Sequence, residues 1–390
     1  MTEVPERLIA EALAMGEAAA AANFRGPDPY DGLWWRWPRA LAGGPRRRQA
    51  LVQLHARSPV DVRRLYRHQE AAPIPKAGAV FASVGARAHR LSGAESPLRL
   101  ALEGAEHLAA DHTAGSRAWG YHWDVQTRWS FYPAGSPNVV VTAFAVAGLL
   151  ETAIQAGRGD LIARAQEAAR WVLDDLWVEP SGYFAYHPGQ PTNIHNANLL
   201  GAWAVHIAAA DEPAAAARVA RAVERTLAAQ RPDGSWPYGE ARNLGWADSF
   251  HSGYVLGCLD RLSGVDPSIH AAIAKGAEHY RRFFDADGRA QLWAHRPYPE
   301  DGHSAGTGLS TLSLLLRRGL VERELVERVA QRVLDTGIRR GHAVHRRYRR
   351  GRTSVRYLRW CDAHVALELV DAAAALGGEP DLAPVSPVGA

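Results

Sequence analysis

Asp and His recur together at three places in the C-terminal half of the chain: Asp248-Ser-Phe-His251, Asp301-Gly-His303 and Asp362-Ala-His364, with Asn193-Ile-His195 one step earlier. Imidazole titrates near neutrality, and a carboxylate two or three residues away can orient or charge it, so each pair is a candidate general acid/base unit. Each Asp also stands where a helix should begin, and an N-cap accepting the first free backbone amides is an equally physical use for it. Asp248 and His251 are the first choice for catalysis. Asp31, Asp301 or His303 would supply the opposing group.

A second set of residues suits substrate binding: Asp28, Tyr30, Trp119, Tyr121, Arg128, His195, Asn196, Asn198, Trp236, Tyr238, Glu240, Trp246, Tyr298, Arg356, Arg359, Trp360, Asp362 and His364. Trp faces stack on the C–H faces of sugars while Asp, Asn and His bond the hydroxyls. The same faces could shield a carbocation. Arg356 and Arg359 suit a clamp on a carboxylate or phosphate, or ion pairs with acids of neighbouring helices. Asp28 and Asp31 could instead bond their own backbone in a Pro/Gly turn, and Asn196 and Asn198 could cap a helix. His206, within an apolar helix, reads as a core residue. No HExxH or CxxC spacing occurs, so neither a metal nor a cofactor is expected.

These residues fall in long loops of a repeated unit, made of an amphipathic helix, an aromatic loop, and a more apolar helix rich in small residues. The apolar helices start near Asn138, His195, Asp248, His303 and Asp362, at spacings of 57, 53, 55 and 59 residues. Amphipathic helices precede them over 96–111, 159–176, 212–230, 266–285 and 321–338, and helix 5–24 supplies a sixth. Six helical hairpins imply an all-α fold, an (α/α)6 toroid spanning 1–376, with amphipathic helices outside and apolar helices inside. The outer-to-inner loops then gather at one rim around a shared pocket. Segment 31–95 is less regular, with helices near 46–56 and 76–92, and the Pro/Gly-rich 377–390 reads as a disordered tail. Within residues 230–236, QRPDGSW, a turn at Asp233-Gly234 lets Trp236 fold back over the helix end, and Gln230 can bond the last free carbonyls.

Composition excludes several classes. The net charge of +4 is small, and 45 basic residues with Lys only at 76 and 275 reflect Arg-rich composition more than a nucleic-acid footprint. Arg339–Arg359 is a basic run that can face a ligand. Cys258 and Cys361 lie in separate predicted helices, which argues against a disulfide scaffold. The N-terminus reads as an amphipathic helix and not an export signal, and no run of 18 apolar residues is seen. The expectation is a cytoplasmic protein with no integral membrane span, and its oligomeric state is left open.

The succession DPYDGL at 28–33, WGYHW at 119–123, NANLLGA at 196–202, QRPDGSWPYGE at 230–240, WADSFHSGY at 246–254, YPEDGHSAG at 298–306 and YLRW at 357–360 resembles the family named after the polysaccharide biosynthesis protein VpsJ. The resemblance runs over nearly the whole chain. It implies the alpha/alpha toroid group, which includes squalene and other terpene cyclases, protein prenyltransferases and six-hairpin glycosidases. It also implies a place in exopolysaccharide production, without catalytic roles. The cyclase DxDD motif and the prenyltransferase zinc pattern are both missing. The leading expectation is a carbohydrate-active enzyme acting on a saccharide or glycolipid by acid/base chemistry (hydrolysis, elimination or epimerisation). Trp119, Trp236, Trp246 and Trp360 would stack the sugar. The alternatives are an isoprenoid cyclase or prenyl-binding enzyme, and a non-catalytic toroid that binds a glycan or a protein.

Overall fold

A computed structural model describes residues 3–58, 60–66, 69–111, 117–127, 130–190 and 192–384. The outer helices are α1 (Glu3–Ala21), α5 (Glu95–Ala110), α7 (Gly159–Asp175), α9 (Ala215–Ala228), α11 (Ser268–Tyr280) and α13 (Arg323–Arg332). The inner helices are α4 (Pro75–Ser92), α6 (Val139–Ala156), α8 (His195–Ala208), α10 (Ser249–Arg261), α12 (Gly302–Arg317) and α14 (His364–Gly377). Two further helices, α2 (Arg36–Leu41) and α3 (Pro45–Arg57), are inserted between α1 and α4.

The two classes differ as their sequences dictate. On α9 the buried residues are Ala215, Val219, Ala222, Val223 and Thr226, one stripe of a helix whose other face meets solvent. On α8 every residue but His206 is buried. Each inner helix packs against the next, and α14 against α4, which closes the ring. The helix 76–92 expected from the sequence is the first inner helix, and α1 is its outer partner, lying between α14 and α4. The fold is an all-α toroid of six outer-to-inner hairpins. Among the described residues, α6 has the length and apolarity to cross a membrane, and most of it is buried in the ring wall.

Buried charge ties the inner helices together at the end of the ring away from the long loops. Arg87 of α4 holds Glu151 of α6 at 2.7 Å and Asp371 of α14 at 2.5 Å, and Ser310 of α12 donates to Asp371 at 2.8 Å. A guanidinium satisfied by two carboxylates is the form in which such charge survives burial.

Helix starts explain much of the Asp/His pattern. Asp248 caps α10, accepting from the His251 amide at 2.9 Å, and Asp301 caps α12, accepting from the His303 and Ser304 amides. Asp362 does not cap α14. The chain enters that helix through a π-type turn, Leu358–Ala363, and the Asp362 carboxylate accepts from the Ala343 amide and Arg356 instead.

In the stretch 230–236 the turn and the folded-back Trp236 form a clasp as expected, whereas Gln230 reaches the turn and α11 and not the last carbonyls of its own helix. Gly234 has φ +84°, a conformation that side chains strain, and a Cβ there would also meet the Lys275 carbonyl. Trp236 is buried, its indole N–H donates to the Thr226 carbonyl at 3.0 Å, and its ring lies where a Cβ on Gly276 would stand 2.7 Å away. Gln230 donates to the Gly234 and Ala272 carbonyls.

Two features differ from expectation. The rim loops contain short antiparallel ribbons, such as Val125–Gln126 with Phe131–Tyr132, where only loops were foreseen. Residues 378–384 return to the ring instead of trailing off. Leu382 and Ala383 are buried, and Arg317 Nε donates to the Glu379 carbonyl at 3.1 Å. Residues 385–390 lie outside the described residues.

Candidate functional site

A cavity of about 490 Å³ opens at the long-loop rim. Inner helices form its floor: α4 contributes Lys76, α8 Asn196, α10 Phe250, His251 and Tyr254, and α12 His303. The loops and the π-type turn raise its walls, with Tyr30, Tyr121, Trp123, Tyr132, Tyr186, Tyr238, Trp246, Arg359 and Trp360, while α3 adds Gln53. No Asp or Glu is among these lining residues. Their absence directs the chemistry toward imidazole, phenol and cation.

His251 and Tyr254 sit one helical turn apart on the cavity face of α10. The Nδ1–H of His251 donates to Asp248, with both carboxylate oxygens at 2.9 Å, which leaves Nε2 as the nitrogen without a hydrogen bond. Tyr238 and Trp246 stack face to face with centroids 4.3 Å apart, and the His251 ring lies edge-to-face with Tyr238 at 4.5 Å and with Trp246 at 5.4 Å. The carboxylate is thus buried beneath an imidazole that remains partly exposed to the cavity.

His303 Nδ1 must carry a proton, because its partner at 2.7 Å is the Trp360 carbonyl, which can only accept. In the neutral ring its Nε2 then accepts from the Tyr254 hydroxyl at 3.1 Å, and the Tyr254 oxygen lies 3.3 Å from His364 Nδ1. Burial, reinforced by the charge of Lys76, pushes the pKa of His303 and His364 well below the ordinary imidazole value. Both rings are therefore neutral at pH 7. Burial likewise raises Tyr254 well above the ordinary phenol value, aided by Glu368, so the hydroxyl stays protonated.

Two basic side chains face this group. Arg359 is held by Asp28 through Nε and Nη2 at 2.5 and 2.8 Å, and its guanidinium lies 4.9 Å from the Tyr121 ring and 5.2 Å from the Trp360 ring. Lys76 lies 4.3 Å from the centre of Phe144, and burial, with Arg359 nearby, lowers its pKa well below the usual amine value. Asn196 Oδ1 is a buried acceptor without a hydrogen bond, at the cavity wall.

The residues singled out from the sequence divide sharply. Tyr30, Tyr121, Asn196, Tyr238, Trp246, His251, His303, Arg359 and Trp360 line the cavity, and Asp248 and His364 stand directly behind it. The rest are engaged elsewhere. Asp31 is buried against Arg63 and His55; although burial opposes ionisation, those partners hold its carboxyl below the usual range. Asp301 is a buried cap paired with Arg346, and burial raises its pKa, so it does not oppose His251 across the cavity. Asp28 contributes by orienting Arg359 and does not face the cavity itself.

The remaining members of the binding set are held by partners outside the cavity, several of them on outer helices. Trp119 is fully buried, donates to the Leu108 carbonyl and carries Arg164 over its ring, and Trp236 is the clasp. His195 is buried beside Thr226, its pKa lowered by burial to about 4. Asn198 bonds the Phe184 amide, the Ala222 carbonyl and Thr226. Glu240 pairs with Arg225 and accepts from Asn193. Tyr298 sits on the ribbon beside Arg289 and Arg349, and Arg356 pairs with Asp362 away from the cavity. Arg128 lies outside the described residues.

Sequence reasoning missed Lys76, Phe250, Tyr254, Tyr132 and Tyr186. Two of these carried a signal. Lys76 is one of two lysines in an Arg-rich chain and opens an apolar helix, and Tyr254 follows His251 by three residues, on the same face. Tyr132 and Tyr186 reach the cavity only because the rim loops fold as they do.

A closed ring of paired helices with its cavity at the long-loop rim places the chain among (α/α)6 toroids. No family model and no curated protein matches it. Solved structures do. A cellobiose 2-epimerase from Bacillus thermoamylovorans B4167 superposes with a TM-score of 0.62 at 13% identity, over 76% of this chain and 86% of that one. A D-mannose isomerase gives 0.58 at 12% identity, over 76% and 86%. UGL, a variant solved with dGlcA-Glc-Rha-Glc, gives 0.63 at 12% identity, over 94% and 95%. At such identities the likeness is one of fold.

Proposed function

We propose that this protein is a carbohydrate-active enzyme that moves a carbon-bound proton of a saccharide, an epimerase or isomerase. The observation that carries the reading is an aromatic cavity offering one imidazole backed by a carboxylate, His251, together with Arg359 and Lys76, with no carboxylate among its lining residues. Hydrolysis by a carboxylate pair finds no support in that set. Nor does a cyclase that protonates an alkene with Asp.

In this reading His251 Nε2 removes the proton from the carbon beside the carbonyl of an open-chain sugar. The C–H electron pair moves into the C–C bond and the carbonyl pair onto oxygen, giving an enediolate. Asp248 stabilises the imidazolium, and Arg359 faces the developing negative oxygen. If the enediolate turns so that its opposite face meets His251, return of the proton to the same carbon yields an epimer; return to the former carbonyl carbon, with the neighbouring hydroxyl proton passing to the former carbonyl oxygen, yields a ketose. Names of solved toroids, cellobiose 2-epimerase and D-mannose isomerase, support the substrate class. The resemblance to the VpsJ family supports a place in polysaccharide biosynthesis, with a saccharide or the sugar head of a glycolipid as substrate.

Elimination from a uronate is the second reading, favoured by Arg359 and Lys76, which suit a substrate carboxylate. One experiment separates the two. Reducing mono- and disaccharides incubated in D2O should gain deuterium next to the carbonyl. Uronate oligosaccharides should instead give an unsaturated, ultraviolet-absorbing product. If neither change occurs across a broad panel, the carbon-acid reading fails.

A further inference from the structure

Large apolar side chains stand exposed at seven places among the described residues, and five fall within residues 37–65: Trp37 (79%), Leu41 (76%), Leu54 (57%), Val60 (61%) and Leu65 (79%). A sixth, Phe131, lies 4.9 Å from the Arg48 guanidinium and so borders the same patch. Residues 36–65 also contain eight Arg and one acid, Asp61, a formal charge of 8 − 1 = +7. The whole chain carries +4, so the remainder sums to 4 − 7 = −3. Charge and exposed apolar surface are concentrated in one insertion.

The toroid closes without this segment, because α1 packs directly on α14 and α4. The insertion packs on a small separate core through Ala42 and Val52, which meet Leu33 of the preceding turn, and its outer surface mixes apolar and basic groups. Trp37 and Leu41 lie one turn apart on α2, and Arg47, Ala50, Leu54 and Arg57 form an exposed stripe along α3. Of the eight Arg, Arg63 is buried against Asp31 and Arg39 pairs with Asp124.

We propose that the insertion 36–65 docks on an anionic phospholipid surface. Trp and Leu on short helices interleaved with Arg are the composition of an interfacial segment, whose rings and aliphatic chains enter the headgroup region while guanidinium groups meet lipid phosphates. A nucleic acid would use the Arg residues but would gain nothing from Leu41, Leu54, Val60 and Leu65. Docking would also set the cavity beside the bilayer. Gln53 of α3 lines the cavity, and Arg36 and Arg39 line a neighbouring surface hollow with Trp123, which lines both. A lipid-anchored sugar would then arrive head first. The docking claim goes beyond the proposed chemistry and does not depend on it.

The test is co-sedimentation of the full chain with vesicles of phosphatidylcholine alone or of phosphatidylcholine and phosphatidylglycerol in a two-to-one ratio. Binding is expected only to the anionic vesicles and should fall with added salt. Arg46→Gln/Arg47→Gln should weaken it about 30-fold, and Trp37→Ala/Leu41→Ala about tenfold or more. Failure of the wild type to sediment with either vesicle overturns the proposal, as do variants that bind like the wild type. It is also overturned if duplex DNA displaces the vesicles while Trp37→Ala/Leu41→Ala binds normally, which identifies a nucleic-acid surface. Vesicle-independent, Trp37-dependent self-association would identify a second copy as the partner. Deuterium exchange into a soluble sugar, measured on the same samples, should be unchanged in both variants and reports separately on the proposed reaction.

Discussion

Replacing Asp248 with Asn separates two functions that the side chain performs at once. Its Oδ1 caps α10 by accepting from the His251 amide at 2.9 Å, and the carboxylate charge supports His251 Nδ1 at the same distance. Asn caps a helix about as well as Asp, so stability should change by only about 0.5 kcal/mol. A charge-assisted hydrogen bond to a buried carboxylate contributes roughly 1.5–3 kcal/mol, and in the proposed reaction its full strength is realised only when the imidazole becomes an imidazolium. Losing about 2–3 kcal/mol of that stabilisation slows proton abstraction about 30- to 150-fold. The assay is deuterium incorporation next to the sugar carbonyl, followed by NMR, with thermal unfolding run alongside. His251→Gln should fall further, by about 10²- to 10⁴-fold. A folded Asp248→Asn protein that exchanges at the wild-type rate would refute the dyad and leave Asp248 as a cap alone.

Three other outcomes are expected. Trp236→Ala removes the clasp ring from Gly276 and should cost about 3–5 kcal/mol in denaturant unfolding, with little change in turnover by the molecules that remain folded. Asp28→Asn leaves Arg359 buried without its counter-charge and should cost about 3–5 kcal/mol, whereas Arg359→Met with Asp28→Asn should recover much of that loss while abolishing sugar turnover. Burial raises the Glu368 carboxyl from the ordinary 4.5 to about 8, with Asp371 adding to the shift. The neutral acid is therefore the folded form, and its contribution is complete below pH 4.5 and lost as pH rises toward 8. Glu368→Gln should flatten that decline and gain on the order of 1–3 kcal/mol at pH 8, read from denaturant melts at several pH values.

Much of the fold was legible because helical periodicity, breakers and the recurrence of the inner helix starts are local properties of the chain. The distinction between inner and outer helices followed from amphipathic periodicity, since a helix enclosed by a ring has no face for solvated groups. The residues at the inner helix starts were legible for the same reason, and His251, His303, Tyr238, Trp246, Arg359 and Trp360 do reach one cavity. What stayed hidden was the direction in which each loop side chain turns. Trp119 and Trp236 share the composition of cavity aromatics, yet each finds a backbone carbonyl at the end of an outer helix and is buried there.

Residue spacing by itself determined a toroid with its chemistry gathered at one rim. The loss of every carboxylate from the cavity lining was decided only by tertiary structure, because an Asp is equally able to cap a helix, pair with Arg or face a substrate. Asp248 went to the α10 cap and His251, Asp301 to the α12 cap and Arg346, Asp31 to Arg63, Asp28 to Arg359, and Asp362 to Arg356. Burial requires each such charge to be paired, and the nearest partner depends on contacts between segments as distant as residues 28 and 359.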